Sequence, residues 1–127
     1  MTAPEIERSV NAIKQHHKGA FPKTAIILGS GLGSFGDNME IESTITYDNI
    51  PDFPQPTVEG HAGRLLVGTV GGTPLVCMQG RMHLYEGHPA PQLAIAIRTF
   101  KKLGVERIII TNAAGSLRMN MTAGSIM

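Results

Sequence analysis

The sequence predicts an α/β fold, and three observations carry this prediction. Short apolar runs that end in glycines or other small residues alternate with amphipathic segments. The 127 residues are enough for one domain with a sizeable core. Composition is 42% hydrophobic and 17% charged, with 15 Gly and 8 Pro. Because apolar runs lie between the glycines, these indicate tight loops that join folded elements, not disorder.

The first half of the chain is predicted to contain a helix, a buried strand and a second strand. Residues 4–18 carry apolar side chains at three- and four-residue steps, the pattern of an amphipathic helix, with Thr2 as its expected cap. Thr24–Leu28 is an apolar run that ends in glycines, which is typical of a buried strand. A strand is possible at 41–47, and three prolines follow it in a loop.

The second half of the chain is predicted to hold a hairpin, a helix and another strand. Arg64–Val70 and Thr73–Met78 flank Gly71-Gly72, a two-residue hairpin signal. Pro91–Leu103 is a helix with basic residues in its last turn. Arg107–Thr111 is rich in isoleucine and is predicted to be a buried strand.

Three of the predicted strands end in loops of small or polar residues. These loops are Gly29–Gly33, Gln79–Arg81 and Asn112–Ser116. In α/β sheets, ligands bind outside the carboxyl ends of the strands, where such loops gather. We therefore expect the three loops to share one pocket.

Charge and cysteine content argue against several classes of protein. The formal net charge of +1 gives no strong attraction to nucleic acid or to membranes, so neither is an expected partner. The single cysteine, Cys77, excludes an internal disulfide framework and suits a reducing compartment. Charged residues interrupt the first 20 positions, and no apolar run reaches the length of a membrane helix. A cytoplasmic location is the resulting expectation.

The glycine-rich loop Gly29-Ser-Gly-Leu-Gly33 is the first candidate for binding an anion. Its backbone N–H groups can approach a phosphate, and the Ser30 hydroxyl can donate to a phosphate oxygen. Gly31–Gly36 also fits the G-x-G-x-x-G pattern of dinucleotide-dependent oxidoreductases. A Pro-rich, strand-like stretch follows it where that motif needs a helix, and no Lys-Ser or Lys-Thr completes a Walker loop. A plain glycine turn remains the alternative.

The segment Gly80–Glu86 has the highest density of chemically useful side chains. If it is extended, Arg81, His83 and Tyr85 lie on one face, because side chains alternate along a strand. The Arg81 fork can bind two phosphate oxygens, His83 can donate to a third or to a sugar hydroxyl, and Tyr85 can contact a ribose. Glu86 can orient His83. A solvated polar edge strand is the alternative.

Three further features have weaker signals. A metal site made of His83, His88 and Cys77 matches none of the compact zinc spacings, so we expect no metal. His61 lies in a loop ahead of the hairpin, where a lone histidine is more often solvated than functional. Asn112–Gly115 ends a strand with very small side chains, on which a flat ligand can lie; a tight turn is the alternative.

Taken together and in order, these segments resemble the purine nucleoside phosphorylases of the trimeric type. The resemblance runs over nearly the whole chain from residue 24, and several motifs in register are far more specific than any one of them. The matching segments are Ile27–Gly33 (ILGSGLG), Pro51–Pro54 (PDFP), Gly60–Arg64 (GHAGR), Gln79–Gly87 (QGRMHLYEG) and Thr111–Gly115 (TNAAG).

The resemblance implies phosphorolysis of purine nucleosides to free base and ribose 1-phosphate, with inorganic phosphate as a co-substrate and no cofactor. It implies a single α/β domain with a central mixed sheet flanked by helices, assembled as a homotrimer. His83 would take part in catalysis and in holding phosphate. By this resemblance, phosphate would be bound by Ser30, His61, Arg81, His83 and the backbone N–H of Ala113. Tyr85 would contact the ribose, and Ala114 and Gly115 would lie against the purine.

Members of this family are longer than the chain, so residues 1–127 correspond to the N-terminal portion of the single domain. The family's purine-holding carboxylate and amide have no counterparts here. We therefore expect the chain to carry the phosphate-binding half of the site, to be inactive alone, and to expose apolar surface on strand 107–111. Methylthioadenosine phosphorylases, which favour Thr where Ser30 stands, are the alternative family, and a non-catalytic phosphate-binding fragment is the alternative function.

Overall fold

The computed structural model of the chain describes residues 3–29, 31–55 and 63–127. Within these residues there are three short 3-10 helices, at Gly33–Asn38, Tyr47–Asn49 and Leu84–Glu86. In chain order the helices and strands are α1 (Pro4–His16), β1 (Thr24–Ile27), β2 (Glu40–Thr46), β3 (Arg64–Val70), β4 (Thr73–Gln79), α2 (Ala90–Lys102) and β5 (Arg107–Ile110).

The five strands form one mixed sheet with the order β2-β3-β4-β1-β5. Strands β2, β3 and β4 pair antiparallel, whereas β1 pairs parallel with both β4 and β5. The carboxyl ends of β4, β1 and β5 therefore lie side by side at one edge of the sheet. The predicted α/β fold is confirmed.

The apolar side chains of the strands alternate between the two faces of the sheet, and each face carries a buried cluster. Ala25 and Ile27 of β1 face the side on which α1 and α2 pack, with Ile13 and Phe100 in the same cluster. The opposite face is smaller and is covered in part by the residues around the first 3-10 helix. Its buried members are Ile26, Leu28, Met39, Leu66, Leu75 and Cys77.

The hairpin and helix predictions are confirmed within a residue or two. Gly71 and Gly72 have φ values of +56° and +81°, the left-handed conformation that a tight hairpin turn needs. Helix α2 begins one residue earlier than predicted and ends one residue earlier. In α1 the capping position is Ala3, which makes no side-chain cap, and the predicted cap Thr2 lies outside the described residues.

The prediction that β5 is buried is wrong, whereas the expected exposure of its apolar side chains is confirmed. All four residues of β5 are exposed, and Ile110 reaches 61%. The physical reason is position: β5 lies at the edge of the sheet, and β1 is its strand neighbour in the described part of the chain. An apolar edge strand of this kind is a surface on which other strands can pair.

Helix α1 also fixes the segment that follows β2. The guanidinium of Arg8 donates two hydrogen bonds to the Asp52 carboxylate, at 2.8 and 3.0 Å. These bonds hold the pKa of Asp52 below its ordinary value. The Ser9 hydroxyl donates to the Pro51 carbonyl at 2.7 Å.

Within the three described ranges, no helix is long and apolar enough to cross a membrane.

We predict that Gly68→Ala destabilises the fold by roughly 1–3 kcal/mol, because a Cβ there overpacks the sheet. In β3 this atom would overlap the Glu40 carbonyl oxygen and lie 3.0 Å from the Ile41 Cα, beside a register shift in β2. Urea denaturation measures the effect. Gly33→Ala is the matched control, since its Cβ would meet nothing within 4 Å. Equal stability of both variants would contradict the close approach of β2 and β3 at Gly68.

Candidate functional site

The loop after β1 lies against the end of β5. The Gly29 N–H donates to the Thr111 hydroxyl oxygen at 2.8 Å, and this hydroxyl donates to the Ile27 carbonyl at 2.9 Å. A Cβ on Gly29 would lie 2.7 Å from the Thr111 carbonyl oxygen and 2.9 Å from the Asn112 Cα. Both contacts are with backbone, so a glycine is required at this position.

The loop after β4 reaches the same place through Arg81. One arm of its guanidinium, Nη1, donates to the Thr111 carbonyl at 3.2 Å, and the side chain is partly buried. This contact uses one of the five N–H donors of an arginine. The loops that follow β1, β4 and β5 therefore meet around Thr111, as the sequence predicted. The shared pocket between them stays a prediction.

Gln79 and Gly80 hold the chain that leads to Arg81. The Gln79 amide nitrogen donates to the Gly33 carbonyl at 2.6 Å, and its oxygen accepts from the Arg64 Nε at 3.1 Å. Gly80 has a φ of +109°, and a Cβ there would lie 3.2 Å from the Gly63 Cα. The glycine loop after β1, the start of β3 and the end of β4 are thus tied together by one glutamine side chain.

Tyr47 supports the same segment from within the core. It is 1% exposed, and its hydroxyl donates to the Gly80 carbonyl at 2.7 Å. Burial raises the pKa of this hydroxyl, so it stays protonated and keeps donating. The sequence does not predict Tyr47 or Thr111 as residues that support the site. No local sequence signal identifies Tyr47, because its hydrogen-bond partner Gly80 lies 33 positions away. Thr111 does carry a signal, because it stands at the end of a predicted strand.

The prediction that Arg81, His83 and Tyr85 lie along one extended segment is wrong beyond His83. Leu84–Glu86 forms a 3-10 helix, and His83 is the extended residue before it. The Glu86 carboxylate caps this turn by accepting from the His83 backbone N–H at 3.2 Å. The His83 and Tyr85 rings still meet, since they stack with centroids 4.7 Å apart at an angle of 15°.

The Glu86 carboxylate lies between two imidazoles. Its Oε1 is 3.5 Å from Nδ1 of His83, and its Oε2 is 3.5 Å from Nε2 of His88. Burial opposes ionisation of Glu86, but the hydrogen bonds from His83 and the charges of both histidines outweigh it. The pKa of Glu86 is therefore lower than its ordinary value. Glu86 is ionised near neutral pH and stands where the sequence expected a carboxylate that orients His83.

The remaining predicted site residues fall into two groups. Ala113, Ala114 and Gly115 are exposed and follow β5 in an irregular segment, open to a ligand from outside. Ser30 and His61 lie outside the described residues.

The weaker alternatives receive little support from the described residues. Gly33–Asn38 is a 3-10 helix that leads directly to β2, so the long helix that a dinucleotide fingerprint requires does not follow the glycines. No group of three His, Cys, Asp or Glu side chains in the described ranges is placed to hold a metal ion. Cys77 is buried in the sheet, and this burial raises the pKa of its thiol to about 11. An unreactive thiol follows from that environment.

Comparison with known proteins identifies similar sequences and structures. A profile of the phosphorylase superfamily matches residues 23–127. Purine nucleoside phosphorylase 1 of Bacillus subtilis is 46% identical over 122 residues, covering 96% of this chain and 45% of that protein. Purine nucleoside phosphorylase of Bos taurus is 46% identical over 111 residues, which cover 87% of this chain and 38% of that protein.

Solved structures agree with the sequence comparison. Isoform 2 of purine nucleoside phosphorylase from Schistosoma mansoni, in complex with cytosine and ribose-1-phosphate, superposes with a TM-score of 0.84 at 42% identity. The match covers 94% of this chain and 42% of that one. The mixed sheet flanked by helices is therefore of the purine nucleoside phosphorylase type, as the motifs implied.

The chain spans less than half the length of these relatives. Within that span 42–46% of the aligned residues are identical, and the alignments cover 87–96% of the chain. The resemblance inferred from the motifs is confirmed, and the chain belongs to the phosphorylase superfamily.

Proposed function

We propose that the chain carries the phosphate-binding half of an enzyme that cleaves purine nucleosides with inorganic phosphate. The products would be the free purine and ribose 1-phosphate or its deoxy counterpart. One observation carries this proposal: the loops after three parallel strands converge on Thr111, and Arg81 brings a bidentate donor to that point. The relatives are purine nucleoside phosphorylases by name, and one of them binds ribose-1-phosphate.

Arg81 is the main anion ligand in this proposal. Its contact with the Thr111 carbonyl fixes one arm of the guanidinium and leaves the other donors for a phosphate dianion. Ser30, His61 and the Ala113 backbone N–H complete the set that we assign to phosphate. Since Gly29 sits directly on the end of β5, the glycine loop and the Ala113 segment flank the same space.

The chemistry suits a phosphate nucleophile. Breaking an N-glycosidic bond builds positive charge on the sugar, and a phosphate dianion held beneath the anomeric carbon both stabilises that charge and attacks it. No protein nucleophile is needed, which agrees with the buried, unreactive Cys77. The protein's task at this end of the reaction is therefore to hold and orient phosphate.

His83 and Tyr85 are proposed to face the sugar, with His83 also touching phosphate as the catalytic residue. Their stacked rings form a flat surface beside the Arg81 segment, and Tyr85 is 82% exposed, so it is open to a ligand. Ala114 and Gly115 would lie under the purine, where small residues admit a flat ring. The departing base also needs hydrogen-bond donors. We propose that these come from the part of the protein that corresponds to the remaining length of the relatives.

We further propose that residues 1–127 are the N-terminal portion of a single domain. The exposed isoleucines of β5 supply the surface on which the rest of that domain would pack. The assembly proposed for the complete protein is a homotrimer in the cytoplasm, with no cofactor besides the co-substrate phosphate and no nucleic-acid or membrane partner.

Arg81→Ala is expected to weaken phosphate binding by about 1.5–3 kcal/mol, since it removes a charge-assisted fork. Arg81→Lys should also be impaired, because a point charge cannot reproduce bidentate donation. Isothermal titration with phosphate, on a version extended to the full length of the relatives, measures both. The control is Arg98→Ala, an exposed arginine on α2. Unchanged affinity in both Arg81 variants would remove this residue from the site.

Residues 1–127 alone are expected to show no phosphorolysis, because catalysis needs stabilisation at both ends of the scissile bond. The assay compares inosine, guanosine and adenosine turnover by this chain and by the extended version. Turnover by the extended version alone supports the division of the site. Comparable turnover by the short chain would show that the missing half is dispensable, and phosphate binding without turnover in either form would favour a non-catalytic module.

A further inference from the structure

His88 has a partly buried imidazole to which the proposed reaction gives no task. Its side chain is 12% exposed, and its Nε2 is buried without a hydrogen bond among the described residues. A buried polar atom that lacks a partner costs free energy, so its position needs a reason. The nearest anionic group is Oε2 of Glu86, at 3.5 Å.

The backbone brings His88 back toward Glu86. Gly87 ends the 3-10 helix in the left-handed conformation, with a φ of +90°, so the helix does not continue into His88. Glu86 is thereby approached from two sides: by the backbone and ring of His83, and by the ring of His88. Its side chain is 11% exposed, so water has little access to the carboxylate.

The two carboxylate oxygens have different tasks. Oε2 accepts the His83 backbone N–H at 3.2 Å and faces His88, whereas Oε1 faces Nδ1 of His83 at 3.5 Å. Fixing Oε2 therefore fixes the rotation of the carboxylate and aims Oε1 at the His83 ring. The hydrogen bond made by one ring nitrogen of a histidine sets the protonation of the other.

We propose that His88 is a positioning residue: its Nε2–H donates to Oε2 of Glu86 and locks the carboxylate that orients His83. This inference rests on the proposed function, in which His83 contacts phosphate and sugar. His88 Nε2 and Glu86 Oε2 are 3.5 Å apart, within ion-pair distance of each other. The carboxylate then holds Nδ1 of His83 protonated and leaves Nε2 as an acceptor for a sugar hydroxyl or for a protonated phosphate oxygen, whereas the sequence predicts a donor at this position.

Two substitutions separate positioning from packing. His88→Phe keeps the ring and removes the donor, whereas His88→Gln keeps an N–H donor and loses the ring. In the version extended to full length, His88→Phe should raise the KM for phosphate by about tenfold, with a smaller effect on kcat. His88→Gln should keep most of the wild-type phosphate affinity.

The second readout is the imidazole ¹⁵N spectrum of His83, assigned with His83→Gln. Wild type and His88→Gln should show Nδ1 of His83 protonated, and His88→Phe should shift toward a mixture of tautomers. Packing alone would give the reverse order, with Phe tolerated and Gln impaired, and would overturn the proposal. An unchanged His83 spectrum in all three proteins would overturn it too, as would equal losses of phosphate affinity in both variants.

The spectrum also distinguishes this inference from the proposed function. If the wild-type protein shows no phosphorolysis but the His83 signal changes only in His88→Phe, the proposed reaction is wrong and the positioning role stands. If phosphorolysis is present and neither variant alters KM or the spectrum, the reaction stands and the role of His88 is refuted.

Discussion

The contact between Gly29 and the end of β5 is the constraint around which the candidate site is built. A side chain at Gly29 would collide with the backbone of Thr111 and Asn112, so the loop can approach only as glycine. Thr111 then uses its hydroxyl twice, accepting from the Gly29 N–H and donating to the Ile27 carbonyl. The two strand ends are joined by these bonds, and the Thr111 carbonyl is left to accept from Arg81.

Sheet topology converts that contact into a site. Because β1 lies between β4 and β5 and is parallel to both, the loops that follow these strands emerge at one edge. Gln79 and Tyr47 then fix the β4 loop from opposite sides, one through the Gly33 carbonyl and one through the Gly80 carbonyl. The site is thus supported by the core of the sheet on one flank, while the opposite flank beyond β5 is exposed.

The sequence predicted the strand ends and their gathering, because apolar runs and glycine loops are local signals. It could not predict that β5 would be an edge strand, since an Ile-rich run predicts a buried strand whether or not another strand lies on each side of it. It was also wrong about Tyr85, whose spacing from His83 suggested a strand until the Glu86 carboxylate closed a 3-10 turn. The sequence offers His88 only as a weak candidate metal ligand, because its relation to Glu86 depends on the left-handed Gly87 between them.

The most direct test of this account is the phosphate affinity of Thr111→Val beside Thr111→Ser. Valine keeps the shape but leaves the Gly29 N–H without its acceptor, and an unsatisfied buried donor costs about 1–3 kcal/mol. Serine keeps the hydroxyl. Isothermal titration of phosphate into the full-length version should show a loss of about tenfold for valine and near wild-type affinity for serine. Equal affinity in all three proteins would contradict the claim that the Gly29–Thr111 contact organises the anion site.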